Sequence, residues 1–149
     1  ELTPVHLLRR AFETAATFDD ALAMLRDTPV SAPVIFTLAG VKASEACVIE
    51  RQETAAHVIS APEVAACAND WRNPEWNERR IPGRLSYERL AKVLGLGVAE
   101  LDEELRWASW PIVNGETRLL MVADAAQGRI IAQGYEAKGP ATAVLDLSL

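Results

Sequence analysis

The chain has 149 residues, 50% of them hydrophobic and 24% charged, enough for one domain with a buried core. Its 15 basic and 21 acidic residues leave a net charge of −6 and no basic patch, which argues against nucleic-acid binding. No apolar run approaches the roughly 18 residues of a membrane span, and no basic start followed by an apolar run marks a secretory signal.

No period of 20–50 residues recurs and no linker-like stretch divides the sequence, so residues 1–149 read as a single domain. Thr3 can cap a helix whose first position is Pro4, with Val5, Leu8, Phe12 and Ala15 recurring at helical spacing. Thr17 with Asp20 three residues later resembles a capping box, and Phe18, Ala21, Leu22 and Leu25 form the buried stripe of a second helix that Thr28-Pro29 ends. The period then changes. Residues 33–39, 46–51, 55–60 and 64–68 are near-continuous apolar runs and read as four successive strands in a sheet covered on both faces.

Residues 69–83 are polar, aromatic and arginine-rich, which predicts a long ordered loop with one helical turn. Ser86 can cap, and Gly95 stop, a helix built on Tyr87, Leu90, Ala91 and Leu94. Val98, Leu101, Leu105 and Ala108 predict one more, with Asp102, Glu103 and Glu104 on its solvated face. Residues 117–123 and 129–135 close as a hairpin through a turn at 124–128. This order fits a layered α+β domain better than an alternating βαβ one.

Familiar catalytic motifs are missing: there is no GxSxG elbow, HExxH or P-loop, and Gly95-Leu96-Gly97 follows a helix where a dinucleotide fingerprint would follow a strand. Neither His6 nor His57 lies near other metal-ligand residues, so no metal or cofactor is called for. Cys47 and Cys67 form no CxxC or zinc-like spacing and are too few for a disulfide scaffold. The redox compartment stays open, with the cytoplasm favoured. Cys47, inside Ala46-Cys47-Val48-Ile49, reads as a buried, inert thiol. Cys67 lies two residues before Asn69, so strand alternation would put both on one face; it reads as a core or pocket residue sooner than a nucleophile.

The informative stretch is Ala68-Asn69-Asp70-Trp71-Arg72-Asn73-Pro74-Glu75-Trp76-Asn77-Glu78-Arg79-Arg80. An asparagine at the end of a buried strand can aim its amide at a developing oxyanion, which makes Asn69 the first candidate. Arg79 and Arg80 could bring a guanidinium fork to the same place, and Trp71 and Trp76 could wall it. Each also has an ordinary alternative: a turn former, surface charges and core aromatics.

Several segments taken in order carry a resemblance. Thr3-Pro4-Val5-His6-Leu7-Leu8-Arg9-Arg10, Phe18-Asp19-Asp20-Ala21 with Leu25, Thr28-Pro29, Ala32-Pro33-Val34, Ala39-Gly40 and Glu45-Ala46-Cys47-Val48-Ile49-Glu50-Arg51 resemble the acid ceramidase and N-acylethanolamine acid amidase family. Asn69-Asp70-Trp71 and Glu78-Arg79-Arg80-Ile81-Pro82 continue the likeness, which covers roughly the first 95 residues. It implies a four-layer αββα N-terminal-nucleophile hydrolase fold, with this chain as its C-terminal portion. It also implies cleavage of amide bonds in N-acyl lipids or related linear amides by a cysteine that is both nucleophile and, through its α-amine, base.

On that resemblance Asn69 contributes to the oxyanion hole and Arg79 is an active-site residue, while Ala68 and Glu78 stand where the family usually has threonine and aspartate. The intervening loop is also shorter than the family's. Neither Cys47 nor Cys67 falls at the nucleophile's place. The resemblance therefore implies a nucleophile-bearing segment or chain upstream of Glu1 as a partner, and a homo- or hetero-oligomer. The competing expectation is a non-catalytic domain that associates with itself or a partner and keeps the fold without the site. A stand-alone hydrolase using Cys67 is a third.

Overall fold

The computed structural model describes residues 1–61, 63–79, 85–96 and 105–148, with the main chain alone at 77–79. The chain divides into two compact units, Glu1–Ser86 and Tyr87–Leu149.

In the first unit, helix α1 (Pro4–Thr14) starts as its sequence dictates: Thr3 is the N-cap, its hydroxyl accepting from the His6 N–H at 3.3 Å, with Pro4 just inside. Helix α2 (Phe18–Asp27) is capped by Thr17, whose hydroxyl accepts from the Asp20 N–H and donates to the Asp20 carboxylate. The buried face of α1 is not the one its spacing predicted. Leu7 and Ala11, one turn apart, pack into the core, while Val5 and Phe12 are 75% and 83% exposed. The helix carries two apolar stripes, and the one that meets Leu25, Val30, Phe36, Cys47 and Ile49 is buried.

Strands β1 (Val34–Ala39), β2 (Ala46–Arg51) and β3 (Ala56–Ser60) form an antiparallel meander with β2 in the middle. Its register places Phe36, Ile49 and Val58 abreast on the face that packs against the helices. Ile35, Glu50 and His57 are likewise abreast on the opposite face, with Thr37, Val48 and Ile59 one pair along. Every residue from Cys47 to Arg51 is buried, as a strand covered on both sides must be.

The expected fourth strand at 64–68 does not form: its residues join no ladder, although Ala66 is buried. The segment leads instead into a loop laid across the second face of the sheet. The Cys67 thiol lies 3.1 Å from the Thr37 hydroxyl on β1, the Arg72 and Asn73 N–H groups reach Glu50 on β2, and Trp76 meets the His57 ring on β3. The chain thus covers this face crosswise, its Arg72 and Asn73 N–H groups satisfied by a strand side chain and not by a ladder.

The second unit holds helix α3 (Ser86–Leu94, whose first residue closes the first unit), ended by Gly95, whose N–H bonds back to Ala91 and Lys92 carbonyls. Of the helix expected around Val98 and Leu101, residues 97–104 lie outside those described. The remainder, Leu105 to Ala108, is turn, because Leu105 takes a left-handed backbone (φ +56°) that a right-handed helix cannot contain. Strands β4 (Leu119–Asp124) and β5 (Arg129–Glu136) form the expected hairpin. Its turn is set by Asp124, which accepts from the Ala126 and Gln127 N–H groups, and by Gly128 at φ +64°. Two further pieces, β6 (Gly139–Pro140) and β7 (Leu145–Ser148), pair with β5, and Arg129 grips Asp146 through two hydrogen bonds across β5 and β7. Among the described residues, three α-helices with two antiparallel sheets make this an α+β chain. No described helix is long and apolar enough to cross a membrane.

Candidate active site

The loop across the sheet carries most of the expected site residues. Trp71 and Trp76 meet edge to face, centroids 5.6 Å apart at 86°, and His57 adds a second edge contact to Trp76 at 6.4 Å and 76°. Such perpendicular pairs match the positive edge of one ring to the negative face of another. The two tryptophans are therefore brought together in a half-buried corner of the loop.

Asn69 lies exposed on the same loop, two residues after Cys67. The expected reason for their proximity is corrected: with no strand at 64–68, Asn69 does not end one. It sits between two points where the loop is fastened, Cys67 against Thr37 and residues 72–73 on Glu50. Pro74–Arg79 then form a 3₁₀ helix of about two turns where one was expected, and Asn73 caps its start by accepting from the Glu75 N–H at 3.0 Å. The Arg79 side chain and all of Arg80, expected to bring a guanidinium to the site, lie outside the described residues.

The two cysteines differ. Cys47 is 3% exposed in the helix-facing core, where burial pushes its thiol up and keeps it protonated. Cys67 is half-buried beside a hydroxyl. Among the described residues no three His, Cys, Asp or Glu side chains gather as a metal-binding group.

Glu50, His57 and Thr37 are the site neighbours that the sequence reading missed. An acid and a base embedded side by side in an apolar strand, Ile49-Glu50-Arg51, were the available signal, because charges in a central strand must each find dedicated partners. Arg51 finds them on the other face, donating to the carbonyls of Leu25, Thr28 and Ala55.

The fold and the loop define a mixed helix-and-sheet domain whose sheet is covered by helices on one face and by an asparagine- and tryptophan-bearing loop on the other. The chain belongs to the acyl-coenzyme A:6-aminopenicillanic acid acyl-transferase family, whose model matches residues 2–97. That family falls within the N-terminal-nucleophile hydrolase superfamily, the broader class implied by the sequence resemblance. The match takes in the first unit from Leu2 onward and α3. Neither the curated proteins nor the solved structures gave a match.

Proposed function

We propose that this chain is the C-terminal part of an αββα N-terminal-nucleophile enzyme, similar to the acid ceramidases and N-acylethanolamine amidases, that cleaves or transfers the acyl group of linear N-acyl amides. In this reading residues 1–149 belong to one such domain. The observation that carries it is the family match over residues 2–97, which spans the loop holding Asn69, Trp71 and Trp76. Trp71 and Trp76 wall an apolar acyl chain, Cys67 borders that pocket, and Arg79 holds a polar or acidic group beside it.

The nucleophile is a cysteine thiolate supplied from outside these 149 residues. Cys47 is buried and protonated, and the Cys67 thiol lies against the Thr37 hydroxyl, whereas activation requires a base or cation. The thiolate sulfur bonds to the amide carbonyl carbon while the π electrons move onto oxygen, and the Asn69 amide donates to that oxyanion. Collapse restores the carbonyl, breaks the C–N bond and releases the amine, which takes the proton that the α-amine of the same cysteine had removed from its thiol. Water or an acceptor amine then takes the acyl group from sulfur. The sequence requires no cofactor. The exposed Val5 and Phe12 of α1 support an associated chain, covered by the nucleophile-bearing segment or a second protomer.

Removing one oxyanion donor typically costs about 10²–10³ in turnover, so Asn69→Ala in the assembled enzyme should slow acyl-enzyme formation by that factor. Unchanged acylation would take Asn69 out of the mechanism, and a normal rate in folded Arg79→Ala would do the same for Arg79.

A further inference from the structure

We infer that Glu50 is a positioning residue for this site: its buried carboxylate fastens the loop that presents Asn69. The inference rests on the reading of Asn69 as the oxyanion donor. Glu50 is 0% exposed in the central strand, a setting in which a carboxylate persists only when its oxygens are hydrogen-bonded. Both are: one accepts from the Arg72 N–H and the other from the Asn73 N–H at 2.9 Å.

Two consecutive main-chain donors on one carboxylate fix the orientation of the loop as well as its height above the sheet. Those donors lie three and four residues beyond Asn69, and on its other side Cys67 rests against Thr37. Asn69 is thus held in a short span fastened to two different strands. An oxyanion donor lowers a barrier only if it is already in place when charge develops. Loss of the fastening should therefore appear in kcat and leave KM nearly untouched.

Glu50→Gln keeps the volume and turns an acceptor oxygen into an NH2 that faces an N–H. In the assembled enzyme, with active sites counted by acyl-enzyme burst, kcat per site should fall about tenfold or more and KM should stay within about twofold. Glu50→Asp, which keeps the charge but loses a methylene of reach, should lie between. Added to Asn69→Ala, Glu50→Gln should slow the enzyme no further, because it acts through a group already removed. In 15N-labelled protein the Arg72 and Asn73 amide protons should move upfield in Glu50→Gln.

Full kcat per site in Glu50→Gln beside a slow Asn69→Ala would overturn the inference while leaving the parent reading intact. So would multiplicative effects in the double variant, or unmoved Arg72 and Asn73 resonances. Full kcat in Asn69→Ala would instead overturn the parent reading, and the positioning role with it.

Discussion

Arg51 joins the end of α2 to the middle of the sheet, and cutting it should be costly. Its side chain is 1% exposed and donates to the Leu25 carbonyl, to Thr28 at 2.8 Å and to Ala55 at 3.2 Å. The first two carbonyls stand at the C-terminus of α2, where a helix leaves acceptors unpaired and concentrates negative potential. Burial lowers the Arg51 pKa, and nearby Asp27 opposes that shift. Hydrogen bonds from a charged donor are worth about 1.5–3 kcal/mol each, and the desolvation of a guanidinium takes back several kcal/mol of their sum. A net value near 1 kcal/mol per bond gives about 3 kcal/mol for Arg51→Met, which fills the stem and leaves the carbonyls without that donor.

The assay is urea unfolding followed by pulsed maleimide labelling of Cys47, a core thiol that reports the first unit alone. The midpoint should drop with an unchanged slope, the sign of lost stability without a changed denatured state. Arg51→Lys keeps the charge but brings one nitrogen where three are used, and should recover about a third of the loss. A loss below about 0.5 kcal/mol in Arg51→Met, the range of ordinary surface changes, would refute the account. Full stability in Arg51→Lys would show that charge, and not the three-pronged geometry, is what matters.

Three further outcomes follow from the same contacts. In native protein a thiol reagent should modify Cys67 while Cys47 waits for unfolding; two fast thiols would mean the core around Leu7 and Leu25 is open. Thr17→Ala should cost about 1 kcal/mol in thermal melting monitored by circular dichroism, because it removes the acceptor for the Asp20 N–H. The Arg129 guanidinium holds the Asp146 carboxyl below its ordinary 3.8, so this pair contributes stability above that pH and loses it as the pH falls through the folded value. Asp146→Asn should therefore flatten the acid limb of the second unit's stability, and an identical limb would discount the pair.

Elements with strong local punctuation were readable from the chain. Thr3-Pro4 and Thr17 open their helices, and the Asp124–Gly128 turn closes its hairpin, because each rests on hydrogen bonds within a few residues. What failed depends on distant partners. Leu7 or Leu8 could have faced the core of α1 on spacing alone, and only the docking of the sheet decides between them. Residues 64–68 have a strand's composition but no partner edge, and β7 is too short to announce itself. Asn69, Trp71 and Trp76 stood out on residue type and on the family likeness, although the strand end that first recommended Asn69 does not form. Glu50 showed only as a charge inside an apolar strand, and its place beside His57 beneath the loop is set by the β2–β3 register.

The adjacency of Glu50 and Arg51 bears on more than the two groups themselves. Consecutive residues of a strand point to opposite faces, so a slip of one position along β1 and β3 would exchange their surroundings. The carboxylate would then confront the carbonyls at the end of α2, and the guanidinium the N–H groups of residues 72 and 73, like polarity against like in both places. Apolar alternation is a weak guide in a strand as uniformly buried as β2, which would be nearly as comfortable one step out of phase. The opposed charges act as a key cut for one alignment, so the strand that carries the core also fixes where the site loop can land.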